Sequence, residues 1–481
     1  MSKRRLYITI LMLSTTISCW AGRTYEALKM GIVSDGKTLN TQSIQKAIDQ
    51  IGKKGGCLQF GPGTYLTGSI VLRSNVEIRL ERGATLLGSD NPFDYQALEL
   101  LDKGDDRRND NSQLALILAQ GATNITLSGE GCIDGNGMQL ALAIDSLHHA
   151  GVRIDPNYNL RRKRTSETMR PKLFFMVGCK NIRVEGLELK NSACWGLSFD
   201  LCEHLILRKL NITNRAYWNN DGIDLTDCKH SMVEDCDINS ADDGVCLKSY
   251  HANSRCDDII IRRCSIRSSA SAVKFGTASW GGFENIVIDS IRIRDTFRSA
   301  IAIESVDGGN IHNIHVKHVY ATNTGNPIFI RLGHRAGERP GCISSVEIED
   351  FYAEVPFGRP DINYDLRGPE VDFFHNPMPS VISGIPEHPI EDITIRNARI
   401  IYPGRASKAM AYVPLSRLND IPEAIDSYPE FTMFGELPAW GFFLRHVRNI
   451  RLLNVELSTH EEDFRPAIVP LDVIGFEQST Y

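Results

Sequence analysis

Four aspartates occur in two short runs near the middle of the chain. Asp221 and Asp224 lie in the run NNDGID (219–224), and Asp242 and Asp243 lie in the run ADDG (241–244). Carboxylates held close together repel one another, so at least one of them keeps its proton to an unusually high pH. A protonated carboxyl beside an ionised one is what general acid–base catalysis requires. The pattern therefore favours catalysis for Asp221, Asp242 and Asp243, and a polar turn is the plain alternative because Asp is common in turns.

The elements that would bring the two runs together repeat along the chain. A polar residue followed by alternating apolar residues recurs at intervals of 23, 27, 27, 27, 28 and 32 residues. The copies begin at Asn181, His204, Ser231, Asp258, Asn285, Asn313 and Ser345, with weaker ones at Asn124, Asp392 and Asn449. Strand-length segments at this period indicate a solenoid of parallel β-coils. A propeller is disfavoured because each blade needs about 40 residues, and the Leu/Asn consensus of leucine-rich repeats is absent.

A second strand in each coil carries the aspartates. Its copies are 196–200, 222–226, 244–248, 272–276, 300–304 and 327–331. Alternate residues of these copies are apolar and are predicted to stack inward as core ladders. The other positions form three outward columns, which are Trp195, Asp221, Asp243, Ser271, Ser299 and Asn326; Ser198, Asp224, Cys246, Lys274, Ala302 and Phe329; and Asp200, Thr226, Lys248, Gly276, Glu304 and Arg331. Because neighbouring coils lie about 4.8 Å apart, the four aspartates are expected to form one cluster.

Both aspartate runs resemble the paired motifs of glycoside hydrolase family 28, the polygalacturonases. The N-terminal part agrees: the segment 41–49, preceded by Asp35-Gly36, is similar to the capping helix of pectin-lyase-like β-helices, and 61–65 and 83–86 are similar to their first coils. The likeness runs from about residue 30 to residue 460. It implies an all-β fold, a single right-handed parallel β-helix with an N-terminal capping helix and long C-terminal loops.

The resemblance also implies roles for the aspartates. In this family the reaction inverts the anomeric centre, so one carboxylic acid protonates the leaving oxygen while a carboxylate activates water. Carried over to this chain, Asp242 is the general acid, and Asp221 with Asp243 holds the nucleophilic water. Asp224 is expected to orient a sugar hydroxyl or the neighbouring backbone. No metal and no cofactor is implied.

Two basic stretches of the family pattern are replaced in this chain. The Gly-His-Gly stretch aligns with Ala270-Ser271-Ala272. The Arg-Ile-Lys stretch, which grips the galacturonate carboxylate, aligns with Ala302-Ile303-Glu304. Lys274, Lys248 or Arg331 is expected to compensate from a neighbouring column, and the ordinary alternative for each is a solvated cation that pairs with a carboxylate.

Three further polar residues are expected at the edge of the cleft. Glu304 is predicted to bind a sugar hydroxyl, with a salt bridge to Lys274 or Arg331, or plain solvation, as the alternatives. His334 and Arg335 follow the last aligned strand and add hydrogen-bond donors at the same edge. Their position favours substrate binding.

The stretch 356–439 breaks the coil period and is rich in proline. It is therefore predicted to be a long excursion rather than another coil. The segment 428–441 combines aromatic and acidic residues. It either folds over the groove and supplies aromatic platforms for sugar rings, or covers the apolar end of the solenoid. If these loops close off the cleft, the enzyme is expected to release terminal sugars rather than cut within a chain.

The N-terminus and the composition bear on location and partners. A basic start and a short apolar stretch indicate a secretory signal peptide over 1–21, with acylation of Cys19 as the less favoured alternative, and one domain over 22–481. The protein is thus expected to be secreted or periplasmic, without a membrane span, and monomeric. A net charge of −6 argues against a nucleic-acid partner, and the basic run 161–164 is interpreted as a solvated loop. Most of the cysteines left after signal removal are expected to be small buried residues.

These patterns predict an inverting glycoside hydrolase that removes terminal sugars from a pectic polysaccharide or oligosaccharide. One alternative is a β-helix polysaccharide lyase, since Asp221, Asp242 and Asp243 are able to ligate calcium. A second is a family 28 hydrolase that acts on rhamnogalacturonan or another non-galacturonate linkage. A third is a β-helix that binds glycans without catalysis.

Overall fold

The computed structural model describes residues 23–100, 111–360, 378–409, 411 and 416–479. Within these residues the chain forms a parallel β-helix, as predicted, and its coils have the right-handed sense of parallel β crossovers. A typical coil holds three strands, and each strand pairs in parallel with strands of the coils before and after it. The predicted signal peptide at 1–21, with Cys19, lies outside the described residues.

The described elements are as follows. The α-helices are α1 (Thr41–Gly52) and α2 (Gly137–His149), and the 3-10 helices are Ala27–Met30, Pro92–Asp94, Glu167–Met169 and Leu418–Asp420. The N-terminal strands are β1 (Thr24–Glu26), β2 (Gly56–Phe60), β3 (Gly63–Thr67), β4 (Ile70–Val71), β5 (Val76–Leu80), β6 (Ala84–Gly88), β7 (Ala115–Gln120), β8 (Thr123–Gly129) and β9 (Cys132–Asp134). The central strands are β10 (Lys172–Val177), β11 (Lys180–Glu185), β12 (Glu188–Lys190), β13 (Leu197–Asp200), β14 (Glu203–Arg208), β15 (Asn211–Asn214), β16 (Ile223–Thr226), β17 (Lys229–Glu234), β18 (Asp237–Ser240), β19 (Val245–Ser249), β20 (Cys256–Arg262), β21 (Ser265–Ser268) and β22 (Val273–Ser279). The C-terminal strands are β23 (Gly282–Ser305), β24 (Asn310–Leu332), β25 (Ile343–Glu354), β26 (Ser380–Ser383), β27 (Ile390–Tyr402), β28 (Phe442–Thr459) and β29 (Ile468–Ser479).

The strands stack into three long sheets along the helix. One runs from β4 through β7, β10, β13, β16, β19 and β22 into the ends of β23 and β24 and on to β26 and β28. We call it the site sheet because the aspartate runs lie on it. The second sheet runs from β1 and β2 through β20, and the third runs from β3 through β21, before both merge into the long C-terminal strands.

The predicted core ladders lie inside the coils. The inward residues of the site sheet are 0% exposed, namely Leu197, Phe199, Ile223, Leu225, Val245, Leu247, Val273, Phe275, Ile301, Ile303, Ile328 and Ile330. Strand pairing holds them in the predicted register, with Ile223 beside Val245. Burial of each such side chain contributes about 1.5–3 kcal/mol. The coils therefore share one continuous apolar interior, and the alternate residues of the same strands face outward.

The polar residue that begins each repeat sits at a tight turn between two sheets. Asn124, Asn181 and Asn285 have φ angles of 58°, 57° and 56°, a conformation that asparagine tolerates better than most residues. Their side chains also form ladders between coils, because Asn181 Nδ2 donates to Asn124 Oδ1 over 3.0 Å. This turn explains why the repeated phrase starts with a polar residue.

The predicted repeat is displaced by one residue at Ser231. His230, rather than Ser231, takes the positive φ at this turn, and Ser231 pairs with Ile259 of the next coil. Ser231 therefore occupies an inward position, where its hydroxyl donates to the Lys229 carbonyl over 3.0 Å. A serine in the core ladder resembles the polar residue that starts the other copies, which explains the error.

Helix α1 covers the N-terminal end of the solenoid, as predicted for 41–49. Its buried face consists of Ile44, Ala47, Ile48 and Ile51. The helix continues to Gly52, three residues beyond the predicted end. Helix α2 is an addition that the repeat pattern does not predict, and it buries Leu140 and Ile144 against the coils.

The prediction that 356–439 holds no coil is wrong. Strands β26 and β27 lie within it, β26 pairing with β24 and β28, and β27 pairing with β25 and β28. Ile393 and Ile395 of β27 are fully buried in the core. The prolines that suggested one long excursion lie before β26 and between β26 and β27, outside the strands themselves. Among the described residues, the departures from the coil are therefore 355–360 and 378–379 before β26, and 403–409, 411 and 416–441 between β27 and β28.

The described cysteines are free thiols, as expected. Ten of those described are buried, and Cys342 is exposed. They act as small core residues rather than as a disulfide framework. In the part of the chain that the structure describes, no helix is long and apolar enough to cross a membrane.

Candidate active site

The site sheet brings the two aspartate runs together. Strands β16 and β19 pair directly, and the Gly222 N–H donates to the Asp243 carbonyl over 2.9 Å. Carboxylate oxygens of Asp221, Asp242 and Asp243 all lie within 4.8 Å of one another. Asp221 and Asp243 are buried, whereas Asp242 is half-buried. Asp242 is therefore the carboxyl of the three that is most open to an incoming ligand.

A buried amide fixes the turn that carries Asp221. Asn220 Nδ2 donates to two carbonyls of the preceding coil over 2.9 and 2.6 Å, and its Oδ1 accepts the Tyr217 N–H over 2.7 Å. The glycine after the aspartate is equally specific, because a Cβ at Gly222 would collide with the Gly244 carbonyl of the next coil. The NNDGID run thus combines an anchoring amide, an acid and a residue that allows close stacking.

The three carboxyl groups hold their protons differently. Desolvation and the charge of Asp243 raise the pKa of Asp242 to about 6. Desolvation and the charge of Asp224 raise the pKa of Asp221 well above its ordinary value. Desolvation also acts against the ionisation of Asp243, but three neighbouring cations outweigh it and lower its pKa. Asp243 is thus the ionised carboxylate, next to carboxyls that keep their protons more readily.

Lys248 is bound by carboxylates within the site. Its Nζ forms an ion pair with Asp224, lies 3.4 Å from Asp221 Oδ2, and lies 4.3 Å from the centroid of the Trp195 ring. Burial alone would lower the pKa of Lys248, but Asp224 and the other neighbouring acids raise it well above its ordinary value. The buried ion pair therefore neutralises Asp224. It also engages Lys248, the cation that was expected to contact the substrate.

A second network of charges lies on the other side of Asp243. Lys274 Nζ lies 3.2 Å from Asp243 Oδ2 and 3.1 Å from Tyr428 Oη. Arg298 Nε lies 2.7 Å from Glu430 Oε2, and both side chains are largely buried. Arg298 is not among the predicted site residues, whereas Glu430 lies in the segment 428–441, for which folding over the groove was one of the two predicted arrangements. Arg298 lies next to the first outward column but outside the aligned strand, and its partner comes from a loop more than one hundred residues away.

Glu304 is buried beside this network. Glu304 is 2% exposed, and its Oε2 has no hydrogen-bond partner among the described residues. Desolvation raises the pKa of Glu304 to about 8, although Lys274 acts in the opposite direction. A carboxyl in this state keeps its proton at neutral pH and presents an O–H donor. Burial excludes the solvated alternative, and donation to a sugar hydroxyl stays a prediction.

Arg331 lies on the site sheet, but its guanidinium is turned to the C-terminal loop. Its Nη1 donates to Ser383 Oγ over 3.0 Å and to the Gly384 carbonyl over 2.8 Å. Its Nη2 donates to the carbonyls of Glu423 and Ala424 over 2.7 and 3.1 Å. The side chain is fully buried. This geometry indicates that Arg331 holds the C-terminal loop in place. It does not favour the predicted contact between Arg331 and the substrate.

His334 and Arg335 contact the backbone and Asp307 near the last aligned strand. His334 Nε2 lies 3.1 Å from the Gly337 carbonyl. Arg335 forms a two-point ion pair with Asp307 over 3.0 and 2.8 Å. Substrate binding by these two residues stays a prediction.

Two apolar clusters cover the site sheet on either side of the aspartates. The downstream cap lies toward the C-terminus and consists of Phe329, Met378, Val381, Ile421, Phe431, Phe434, Leu437, Ala439, Phe443 and Val469. The upstream cap consists of Leu98, Leu100, Ala115, Leu118, Phe175 and Val177. The outward face of the sheet is thus buried before and after the carboxylates, and the loop residue Tyr428 contacts the network between them.

Two groups of side chains have donor atoms close enough together for a metal ion. They are Asp221, Asp242 and Asp243, and Asp200, Asp227 and His251, each with donor atoms within 4.8 Å. In the first group the ammonium groups of Lys248 and Lys274 already contact carboxylate oxygens. In the second, Asp227 accepts hydrogen bonds from Ser249 Oγ and from the Tyr250 N–H. Ammonium, hydroxyl and backbone N–H donors of the protein therefore already contact carboxylates in both groups.

Comparison with known proteins gives one family. The profile of glycosyl hydrolases family 28 matches residues 65–354. A protein from Vitis vinifera named "Probable polygalacturonase" is 24% identical over 446 residues, covering 84% of this chain and 82% of that protein. Among solved structures, an exopolygalacturonase from Thermotoga maritima has a TM-score of 0.63 at 20% identity, covering 91% of this chain and 92% of its own. A family 28 exopolygalacturonase from Yersinia enterocolitica has a TM-score of 0.68 at 16% identity, covering 94% and 78%. These two structures share the parallel β-helix fold.

Proposed function

The chain belongs to glycosyl hydrolases family 28, and from this premise we propose that Asp221, Asp242 and Asp243 hydrolyse a glycosidic bond of a pectic saccharide. Membership makes the protein a glycosidase. The strongest support for the site is the cluster of three carboxyls within 4.8 Å, in which one is ionised and another keeps its proton to about pH 6.

In the proposed reaction the two residues of the ADDG run act as acid and base. Asp242 is half-buried and donates its proton to the glycosidic oxygen as the bond to the anomeric carbon breaks. Asp243 takes a proton from the attacking water, whose hydroxyl oxygen forms the new bond to that carbon. Asp221 holds this water by a hydrogen bond. The departing sugar gains the proton of Asp242, so protons and electrons balance.

Inversion of the anomeric centre is part of the proposal. Inverting glycosidases commonly hold their two carboxyls about 6.5–9.5 Å apart, whereas the oxygens here lie within 4.8 Å. The proposal places the water between Asp221 and the base Asp243, rather than between Asp243 and the acid Asp242, and this arrangement is compatible with the shorter separation. Proton NMR of the first product formed tests this: an inverted anomer is expected, and a retained anomer would contradict it.

The proposed enzyme releases sugars from chain ends. A substrate chain that ran along the site sheet in both directions would have to replace the upstream and downstream caps, whose side chains are buried. In the proposal the space at the aspartates, between the two caps, receives a chain end instead. The support is thus geometric and independent of the aspartates.

The pectic substrate class and the location outside the cytoplasm are proposed together. The Vitis vinifera relative is named a polygalacturonase over most of its length. The N-terminal sequence has the pattern of a secretory signal over 1–21. Both features fit an enzyme that meets plant polysaccharide outside the cell.

Product analysis tests the proposed function. Wild type and Asp242→Asn are incubated with homogalacturonan, rhamnogalacturonan and neutral pectic oligosaccharides. Release of saturated sugars by wild type, lost in the variant, is expected. Unsaturated products with ultraviolet absorbance, abolished by a chelator, would instead support a lyase. Binding without any product, unchanged in the variant, would support a non-catalytic glycan-binding protein.

A further inference from the structure

Arg164 is a buried cation packed against an aromatic ring. The residue is 7% exposed, and its Nη1 is buried with no hydrogen-bond partner among the described residues. Its guanidinium carbon lies 4.3 Å from the centroid of the Trp218 ring, so the group is stacked on an aromatic face. The interpretation of 161–164 as a solvated loop is therefore wrong for Arg164, whose side chain packs inward.

Other buried lysines and arginines of the described chain all have polar contacts. Lys248, Lys274, Arg298, Arg445 and Arg465 form ion pairs, Arg170 and Arg331 donate to backbone carbonyls, and Lys172 donates to Asn111. A buried charge that lacks such contacts is costly. Burial and the charges of Arg170 and Arg162 accordingly lower the pKa of Arg164 to about 10. The guanidinium nevertheless stays protonated at neutral pH. The fold therefore buries a charge, and a bound anion would offset this unfavourable free energy.

Arg164 lies at the edge of the aspartate cluster. Trp218 precedes Asn220 by two residues, and the Asn220 carbonyl accepts the Asp242 N–H over 3.2 Å. Asp242 is among the charges that act on Arg164. The hydroxyl of the adjacent Thr165 is also buried without a hydrogen-bond partner among the described residues. Two neighbouring unpartnered polar groups next to the proposed acid indicate a place for a polar ligand.

We propose that Arg164 binds the carboxylate of a uronic acid unit of the substrate and thereby sets the specificity of the enzyme. This inference rests on the proposed function and names the chemical class that the site takes. A guanidinium presents paired N–H donors that match a carboxylate, and the stack on Trp218 fixes its plane. The family positions that grip a uronate are Ala302 and Glu304 here, and the cations next to them are already paired. Arg164 supplies the charge that those positions lack.

A comparison of charged and uncharged substrates tests this role. The kcat and KM of wild type, Arg164→Gln and Arg162→Gln are measured on trigalacturonate and on its methyl ester, which has the same sugars without the charges. Arg162 is the matched control, because it belongs to the same loop, is half-exposed, and lies 5.9 Å from the same Trp218 ring. Loss of one charge-assisted contact is expected to lower kcat/KM on the free acid by about 10- to 100-fold, mainly through KM. The change on the ester and the change in the control are expected to stay below about threefold.

Each other outcome overturns the inference in a distinct way. Equal losses on acid and ester would mean that Arg164 only stabilises the loop. Hydrolysis of neither substrate by wild type, with hydrolysis of a neutral pectic oligosaccharide, would overturn the inference but not the proposed function; hydrolysis of none of the pectic substrates would overturn both. If Arg164→Gln does not fold, wild type alone decides: a free acid preferred by about tenfold or more, with a KM that rises with salt, supports the role. Equal kcat/KM for acid and ester contradicts it.

Discussion

Asp242 and Asp243 are adjacent in the chain, yet their carboxyl groups prefer opposite protonation states. Asp243 accepts the Ser271 N–H over 3.0 Å and lies 3.2 Å from Lys274, so its charge is stabilised. Asp242 has that charge as a neighbour, and its pKa rises to about 6. One residue type thus supplies both an acid and a base, because Lys274 of the next coil forms its ion pair with Asp243.

The pH dependence of catalysis follows from Asp242. A general acid must hold its proton, and this group loses it as pH rises through about 6. We expect kcat/KM to fall about tenfold per pH unit above that value. A pH profile of wild type beside Asp237→Asn, an exposed aspartate of the neighbouring coil, checks this. Constant kcat/KM between pH 6 and about 8 would contradict the assignment of Asp242.

The buried acid Glu304 makes stability depend on pH. Its pKa is about 8 in the folded protein against an ordinary 4.5, so between these values the unfolded chain loses a proton that the folded chain keeps. Stability from this group is complete below pH 4.5 and is lost as pH rises toward 8. Glu304→Gln removes the effect and should raise the free energy of unfolding by about 3 kcal/mol at pH 7, and by almost nothing at pH 4.

Urea denaturation at both pH values measures this difference. Glu436→Gln, at an exposed position of the loop before β28, is the matched control and should change little at either pH. If the difference in free energy of unfolding between Glu304→Gln and wild type were the same at pH 4 and pH 7, Glu304 would be ionised in the folded protein.

The sequence predicts some site residues well and others not at all. The aspartates and Lys248 fall in columns because the strand period of two fixes which side chains face outward. Arg298 and Arg164 do not follow that period, since Arg298 lies in β23 where its register with β24 shifts between Thr296 and Ser299, and Arg164 lies in a loop. Their burial depends on partners brought from distant parts of the chain, Glu430 for Arg298 and Trp218 for Arg164.

At the scale of elements, the loop before β28 depends on one buried arginine. Arg331 of β24 donates to the carbonyls of Glu423 and Ala424 and to groups at the end of β26. It therefore joins two coils to the loop that carries Tyr428 and Glu430. Those two residues in turn contact the cations beside Asp243.

Removal of this arginine should loosen the loop. Arg331→Met leaves several buried carbonyls without donors, and we expect a loss of stability of about 2–4 kcal/mol. Hydrogen exchange should become faster in 421–434, whereas the exposed control Arg335→Met should leave this segment unchanged. If Arg331 served substrate binding instead, KM would rise while the exchange of the loop stayed as in wild type.

The coils themselves show where prediction from sequence is reliable. The repeat of a positive-φ residue and alternating apolar residues gives the strands from β8 onward, because both features are local. The register slips at Ser231, where a core position holds a hydroxyl. The coil of β26 and β27 is hidden by prolines in its connections, since their number suggests one long loop although the sequences of β26 and β27 contain no proline.

At the scale of the whole molecule, two apolar caps flank the aspartates on the site sheet. The parallel β-helix presents its outward columns along its entire length, which by itself suits a long polysaccharide chain. Apolar side chains bury those columns upstream and downstream of the aspartates. The proposed specificity for chain ends would thus come from segments outside the repeat, which the repeat pattern alone does not reveal.

Release of sugars from chain ends has a distinct product pattern. We expect an oligogalacturonate labelled at one end to be shortened stepwise, without internal fragments at early times, because the caps exclude binding within a chain. The viscosity of homogalacturonan should fall slowly relative to the number of bonds cleaved. Early appearance of a mixture of mid-length fragments would show that the groove is open at both ends.

The most direct test of the account measures the need for a proton from Asp242. Wild type and Asp242→Asn are compared on a natural pectic oligosaccharide and on an aryl glycoside of the same sugar, whose phenolate departs without protonation. The account predicts that the variant loses about 10²- to 10⁴-fold in kcat on the oligosaccharide and far less on the aryl glycoside. An equal loss on both substrates, or no loss on either, would contradict the assignment of Asp242 as the acid of this glycosidase.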